Sequence, residues 1–190
     1  LIMAILGVDD IKAQLTGGGA RPNLFQVTMN FPAGVTGGAR RSRGRGSGGS
    51  STTKASYMCK MASLPGSTIA PIEVPFRGRK LQIAGDRTFD PWSITVINDT
   101  DFDVRNQYEE WMNMINEHKK NTGLTDPSSY MADMIVAQLD KDGTVLKSYD
   151  IRGTFPTTLG AIELDYGSEN VIEEFEVELQ IQYWESNTTS

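Results

Sequence analysis

Residues 172–184 alternate between apolar and polar side chains, and this pattern constrains the fold more than any other in the chain. Successive side chains of a β-strand point to opposite faces of its sheet, so the segment predicts a strand with one buried and one hydrated face. The buried face would carry Phe175, Val177, Leu179, Ile181 and Tyr183, and the hydrated face would carry Glu174, Glu176, Glu178, Gln180 and Gln182. Such a strand requires a hydrophobic core on one side of its sheet only.

Several other segments have the alternation or the β-branched composition that is typical of strands. Strands and helices do not alternate along the chain, so a parallel α/β sheet is not expected. The fold class that follows is mainly β (α+β), an antiparallel β-sandwich or partly open barrel with one packed α-helix. Besides 172–184, the predicted strands and extended segments cover residues 23–31, 55–64, 69–76, 79–84, 88–98, 133–139, 144–152 and 161–166.

Turn and proline residues refine this prediction. Lys141-Asp142-Gly143 contains the glycine that a tight hairpin turn requires, so the segments on either side of it should pair. Proline donates no ladder hydrogen bond, so Pro71 and Pro75 predict an edge position or irregular pairing for 69–76.

One helix is predicted from about Phe102 to about Lys120. Thr100 and Asp101 offer side-chain oxygens to the unpaired amides of its first turn, and Gly123 can end it. Apolar residues recur on it at spacings of three or four and form one stripe, made of Val104, Tyr108, Trp111, Met112 and Ile115.

The length of 190 residues suits one domain with its own core, so residues 1–190 are predicted to be a single domain with 1–19 as an N-terminal extension. The first six residues are apolar but lack the basic residues and long apolar run of a secretory signal. They are expected either to dock on a neighbouring subunit or to be a loose end. No stretch of about 18 apolar residues is present, so no membrane partner is expected.

A Gly/Arg/Ser-rich segment interrupts the predicted strands. Residues 37–51 contain six glycines, four arginines and four serines, a composition that cannot form a core. A long hairpin loop is therefore predicted at 32–53. Its basic side chains are expected to contact an acidic surface on a neighbouring subunit, and they are Arg40, Arg41, Arg43 and Arg45. The alternative is a nucleic-acid-binding module, although no aromatic residue is interleaved to stack on bases.

Residues that commonly carry catalysis form no recognisable site in the sequence. There is no glycine-rich phosphate loop and no strand-linked GxGxxG. The single cysteine, Cys59, lies in an apolar run, and a hydrolase triad would need the single histidine, His118, at the helix end. A metal site of alternating acids at Asp99, Asp101 and Asp103 is conceivable, but helix capping explains them more simply. No enzyme activity, catalytic residue, cofactor or metal is predicted.

Several short segments occur in an order that is typical of one protein family. They are residues 20–27, 59–66, 79–80, 84–90 with Trp92, 95–99, 153–157 with Gly160, and 175–177 with 183–185. With these segments the chain resembles the tail tube protein of T4-like contractile-tailed bacteriophages over nearly its whole length. It departs from the family in the long 37–51 connection, which looks much shorter in simpler members.

This resemblance implies a structural virion protein without an active site. Members of the family form homo-hexameric rings whose strands complete a ring-wide β-barrel, and the rings stack into the inner tail tube. The implied partners are a contractile sheath outside the tube, the tape measure protein and double-stranded DNA in its lumen, and baseplate and tail terminator proteins at its ends. The implied location is the virion tail, after assembly in the host cytoplasm.

Two questions stay open at this level. The acidic side chains of Glu174, Glu176 and Glu178 would line the lumen, where they would repel DNA, or else form an outer hydrated face. The tube of a tailocin or of another contractile injection system, which carries no genome, is the alternative to a phage tube.

Overall fold

A computed structural model of the chain describes residues 8–15, 19–35 and 51–189. It confirms a mainly β fold with antiparallel sheets that do not close into a barrel within one chain. Among the described residues, no helix has the length and apolarity to span a membrane. The helices are α1 (Val8–Gln14), α2 (Ser51–Met58), α3 (Asp103–Ile115) and α4 (Pro127–Tyr130). The strands are β1 (Phe25–Thr28), β2 (Cys59–Ala62), β3 (Ser67–Phe76), β4 (Arg79–Phe89), β5 (Trp92–Ile97), β6 (Ala132–Leu139), β7 (Val145–Leu159), β8 (Glu174–Gln180) and β9 (Tyr183–Ser186).

Strand β7 connects the two halves of the main sheet. The strand order is β1-β6-β7-β8-β5-β2, with β9 also paired to β7 and every pair antiparallel. The first part of β7 lies between β6 and β9, and its last residues pair with β8. Between these parts, Gly153 has φ +62°, and a Cβ there would lie 2.7 Å from Gln182 Cγ. Glycine therefore allows one strand to serve both halves of the sheet.

The hydrophobic core includes side chains from the main sheet and from α3. Trp92 on β5 and Tyr108 and Trp111 on α3 are fully buried. Trp111 Nε1 donates to the carbonyl oxygen of Tyr130 at 2.6 Å, and its ring stacks on Tyr108 with centroids 6.2 Å apart. Of the predicted apolar stripe, Val104, Tyr108 and Trp111 are buried and Ile115 packs against the core, whereas Met112 is only partly buried and does not belong to the core.

The alternating segment 172–184 forms two strands rather than one. Phe175, Val177 and Leu179 on β8 are buried, as is Ile181, which confirms the predicted inward face. The prediction was wrong for Tyr183, which is partly exposed on β9. The pattern breaks there because the chain leaves β8 and its pairing with β5, and returns along β7 as β9.

Residues 55–58 are helical, so the predicted strand 55–64 was wrong in its first half. Helix α2 buries Ala55 fully and lets Ser56 Oγ accept a hydrogen bond from the Met29 amide at 3.1 Å. These tertiary contacts outweigh the weak strand signal of a segment that does not alternate strictly.

The predicted hairpin at 32–53 was also wrong, because the strands on either side of this connection do not pair with each other. Strand β1 pairs with β6, and β2 pairs with β5. The last residues of 32–53 already belong to α2, and residues 36–50 lie outside the described part of the chain.

The main helix begins close to the predicted start but ends earlier than predicted. Its N-cap residue is Phe102, with φ 55° and no side-chain hydrogen bond, so Thr100 and Asp101 do not cap it. It ends at Ile115 because the chain reverses and the Leu124 amide bonds to the carbonyl oxygen of Met114 at 3.1 Å. Gly123 permits this reversal, since a Cβ there would lie 1.9 Å from the Ile115 oxygen.

Two further segments differ from prediction. Residues 88–98 are divided between β4 and β5 at Pro91, which cannot donate a ladder hydrogen bond. Residues 161–166 form no strand. Just before them, the carbonyl oxygen of Gly160 accepts a hydrogen bond from Arg105 Nη1 on α3 at 3.0 Å, and the chain leaves the ladder there. The hairpin at 140–144 was predicted correctly, with Gly143 at φ 85°.

Candidate assembly surfaces

Strands β3 and β4 form a two-stranded hairpin outside the main sheet, here called the arm (residues 67–89). In chain order the arm follows β2 and precedes β5. Each of its strands is about 30 Å long at the usual rise per residue. Arg77 and Gly78 close it with φ values of 46° and 80°, the conformation of a two-residue hairpin turn. The edge or irregular pairing predicted for 69–76 is confirmed by a register shift between Ile69 and Pro71.

The two faces of the arm differ in chemistry. One face carries Ile72, Val74, Phe76, Leu81 and Ile83, all of them exposed to solvent. On the opposite face Glu73 accepts hydrogen bonds from Lys80 Nζ and Gln82 Nε2, which holds the pKa of Glu73 below its usual value. An isolated two-stranded ribbon is marginally stable in water, so the apolar face is suited to packing against another surface.

Hydrogen bonds and ring contacts fix the base of the arm to the subunit. Trp184 Nε1 donates to the carbonyl oxygen of Gly66 at 3.1 Å, and the Trp184 ring meets Phe89 edge-on at 6.2 Å. Trp92 Nε1 donates to the carbonyl oxygen of Ser63 at 2.6 Å. The base is anchored, whereas beyond it β3 and β4 form strand pairs only with each other among the described residues.

The loop after β7 surrounds a cavity of about 780 Å³, here called the acidic cavity. Leu164 and Tyr166 line it and are largely exposed. Four of the described lining residues are carboxylates and none is lysine or arginine. Apolar and acidic groups thus face the same open space.

The three glutamates singled out from the sequence lie on one strand, β8. Glu174 Oε1 is paired with Lys60 Nζ, Glu178 Oε2 accepts from Thr158 Oγ1 at 3.1 Å, and Glu176 is exposed. Their cross-strand neighbours on β5 include Thr95 and Ser93. This surface is polar and lies opposite the buried side chains of β8. The arginines at 40, 41, 43 and 45 lie outside the described residues.

The acids that were predicted to cap the helix instead surround a lysine. Lys54 Nζ lies 2.9 Å from Asp99 Oδ2, 3.0 Å from Asp103 Oδ2 and 3.6 Å from Asp101 Oδ2. Burial alone would lower the pKa of Lys54, but hydrogen bonds with Asp99 and Asp103 raise it to about 12. The Lys54 ammonium lowers the pKa of Asp99. This Lys54 cluster ties α2 to the start of α3.

The lone cysteine and histidine are not brought together with other catalytic groups in the described structure. Burial raises the pKa of the Cys59 thiol to about 12, outweighing a backbone hydrogen bond of Met61 that lowers it, and so disfavours the nucleophilic thiolate. His118 lies in the turn after α3, with Nδ1 3.0 Å from Asn113 Oδ1. No group of three or more potential metal-ligating side chains was found within the described residues.

Sequence reasoning missed the arm and the Lys54 cluster. The signal for the arm is present in the sequence, since apolar residues alternate on both sides of Arg77-Gly78 while Glu73, Lys80 and Gln82 occupy the other positions. The Lys54 cluster has no comparable signal, because about 45 residues separate its cation from its acids along the chain.

Comparisons with known proteins identify relatives over nearly the whole chain. A family model described as phage tail tube protein matches residues 20–187. The tail tube protein of Enterobacteria phage T4 is 36% identical over 180 residues, which cover 94% of this chain and 99% of that protein. The tail tube protein of Serratia phage KSP90 is 28% identical over 178 residues, covering 91% and 93% of the two chains.

Solved structures share the fold at low sequence identity. A chain from the baseplate of the anti-feeding prophage aligns with a TM-score of 0.60 and 13% identity, covering 88% of this chain and 95% of that one. A chain from the sheath-tube complex of the extracellular contractile injection system PVC, in its extended state, aligns with a TM-score of 0.55 and 14% identity, covering 96% and 98%.

Proposed function

The chain belongs to the phage tail tube protein family, and we propose that it forms homo-hexameric rings that stack into the inner tube of a contractile tail. The observation that carries this proposal is the family match over residues 20–187. It is supported by 36% identity to the tail tube protein of a T-even phage over 94% of this chain. The role is structural, without a catalytic step.

Unpaired sheet edges support assembly into a ring. Strands β1 and β2 end the strand order, so each has one edge without a partner strand among the described residues. Such edges expose unpaired amides and carbonyls and favour pairing with another chain. Closing the strands of six subunits into one ring-wide barrel removes those edges.

The polar face of β8 is suited to line the channel of this ring. Glu174, Glu176 and Glu178 alternate with buried residues and project from one side of the sheet. Carboxylates along a channel repel DNA phosphates, so double-stranded DNA would slide through without sticking. In this proposal the lumen holds the tape measure protein during assembly and later conducts the genome into the host.

The remaining partners follow from a position inside a tail. The outer surface of the tube would contact the contractile sheath, and its ends would contact baseplate and tail terminator proteins. The protein would assemble in the host cytoplasm and reside in the virion tail.

The arginine-rich segment has a proposed role between subunits. Arg40, Arg41, Arg43 and Arg45 would meet carboxylates of a neighbouring copy, in the same or the next ring. Deleting residues 37–51 should leave the subunit folded but make its tubes dissociate at lower salt. Tubes with the length and salt tolerance of the parent would contradict this role.

A phage tube is favoured over the tube of a tailocin or other injection system by the identities. The phage relatives are 28–36% identical, whereas the injection-system structures are 13–14% identical. A nucleic-acid-binding module acting through the arginines is the alternative from another class. Filter binding of double-stranded DNA at increasing salt distinguishes it, because a tube with an acidic channel should bind weakly at every salt concentration.

Electron microscopy of the purified protein tests the proposed function. We expect six-fold rings and stacked tubes at high protein concentration. A variant in which Glu174, Glu176 and Glu178 are changed to glutamine should form the same tubes and retain more DNA. A protein that stays monomeric at high concentration would contradict the proposal.

A further inference from the structure

The tip of the arm combines an exposed aromatic ring with positive charge. Phe76 is 67% exposed, and the guanidinium of Arg77 lies 5.4 Å from its ring centroid. Arg79 pairs with Phe76 across the hairpin. Within the described structure neither arginine forms an ion pair, unlike Lys80, which is bound to Glu73. The tip is therefore an apolar projection with two arginines beside it.

The acidic cavity has the complementary properties. Its apolar lining includes Leu164, Tyr166 and Ile172, which are 81%, 107% and 65% exposed and so lack a covering surface among the described residues. Glu163 and Asp165 lie on either side of Leu164 in the sequence and also line the cavity. Its volume of about 780 Å³ is ample for an aromatic side chain and its flanking residues.

We propose that the arm tip of one copy seats in the acidic cavity of another, with Phe76 among the apolar residues and Arg77 and Arg79 facing Glu163 and Asp165. This inference rests on the proposed function, because it names a contact between subunits of the tube. Opposite charges beside apolar groups on both surfaces give the contact its specificity.

A second copy is the occupant because no described residue of the chain fills its own cavity. Among the described residues, only residues within 161–174 line the cavity, and only residues within 76–81 line the space around the tip. The arm base is held to the subunit by Trp184 and Trp92. The arm is therefore a ribbon that is anchored at its base and exposed to solvent over nearly all of its length.

Crosslinking between differently labelled copies tests this contact. In a Cys59→Ser background, Lys80→Cys copies are mixed with Ser168→Cys copies, assembled and treated with a short bismaleimide. These positions adjoin the tip and the cavity without altering Phe76, Arg77 or Arg79. We expect a crosslinked dimer in the mixture. In the control mixture, Lys141→Cys copies, with the cysteine at the exposed β6–β7 turn, replace the Lys80→Cys copies. This mixture should give at least ten-fold less dimer.

The outcomes separate this inference from the proposed function. Tubes that form but crosslink no more at 80 and 168 than in the control would overturn the contact and leave the tube assignment intact. A parent protein that forms no rings or tubes would overturn both.

Charge reversal provides a second, independent test. The double change Arg77→Glu and Arg79→Glu, or the double change Glu163→Arg and Asp165→Arg, should raise the protein concentration needed for assembly at least ten-fold. Mixing the two variants should restore assembly, because the charges are again opposite. Failure of the mixture to recover, with both variants folded, would contradict the proposed pairing.

Discussion

The core around α3 and the arm contain similar apolar side chains in opposite environments. Trp111 on α3 is fully buried, with its indole nitrogen hydrogen-bonded and its ring stacked on Tyr108. Phe76 on the arm is exposed. Within the described structure its ring lies against the Arg77 guanidinium and stacks on no other aromatic ring. Burying an apolar side chain stabilises a fold by about 1.5–3 kcal/mol. The core side chains contribute this free energy within one chain, whereas the arm side chains would contribute it only when another copy covers them.

In the proposed tube, the core around α3 stabilises the subunit and the arm stabilises the contact between subunits. Changes in the core should lower the free energy of unfolding of the isolated subunit. Changes on the arm should leave it nearly constant and alter assembly.

The largest expected effect is in the core. Trp111→Ala should lower the free energy of unfolding by about 3–5 kcal/mol, because it removes a large buried ring and leaves a cavity. Urea unfolding of the isolated subunit, followed by circular dichroism, measures the change. A loss below about 1 kcal/mol would show that α3 does not hold the core together.

A smaller effect is expected at the corner of β7. Gly153→Ala should cost about 2 kcal/mol, because the residue has φ +62° and a new Cβ would lie 2.7 Å from Gln182 Cγ. Gly143→Ala is the matched control, with φ +85° and open space around the position, and should cost about 1 kcal/mol. Equal losses in the two variants, measured by urea unfolding, would contradict the close approach at Gly153.

The Lys54 cluster should contribute about 1 kcal/mol at neutral pH, because its charges are partly exposed to water. Lys54→Met should therefore destabilise the subunit modestly. The folded-state pKa of Asp99 is lowered, so its contribution is present above about pH 4 and is lost as the pH falls through that lowered pKa. The difference between variant and parent should shrink below about pH 4, as measured by urea unfolding from about pH 6 to about pH 2. A difference that grows in acid would contradict the ion pairs.

The smallest effect on the subunit is expected at the arm tip. Phe76→Ala should change the free energy of unfolding by less than about 0.5 kcal/mol, because the side chain is exposed in the free chain. The same variant should form tubes only at higher protein concentration, as measured by light scattering and microscopy. Normal assembly with a large loss of stability would reverse the proposed division.

Local patterns in the sequence predicted much of this structure. The alternation of 172–184 identified the buried face of β8, and the glycine at 143 identified the hairpin between β6 and β7. The spacing of apolar residues and the residue types of a turn depend only on neighbouring positions, so the sequence alone predicts them. The acidic face of β8 was found in the same way, because alternation fixes which side chains share a side.

Long-range contacts explain what the sequence did not reveal. The pairing of β2 with β5, and the passage of β7 from one half of the sheet to the other, join residues far apart in the chain. Residues 55–58 became helical because Ala55 and Ser56 contact distant parts of the fold. The sequence indicates helix capping for the acids at 99, 101 and 103, because their actual partner, Lys54, is remote along the chain. The alternation of apolar residues on the arm is visible in the sequence. Whether that apolar face is covered depends on how the rest of the chain folds, which the local pattern does not show.

Hydrogen–deuterium exchange of free subunits and assembled tubes tests whether another copy completes the arm. Amides of β3 and β4 should exchange rapidly in free subunits and become protected at least ten-fold in tubes, while amides of β8 and α3 should be protected in both. Arm amides that are equally protected in the free subunit and in the tube would contradict the claim that another copy completes the arm.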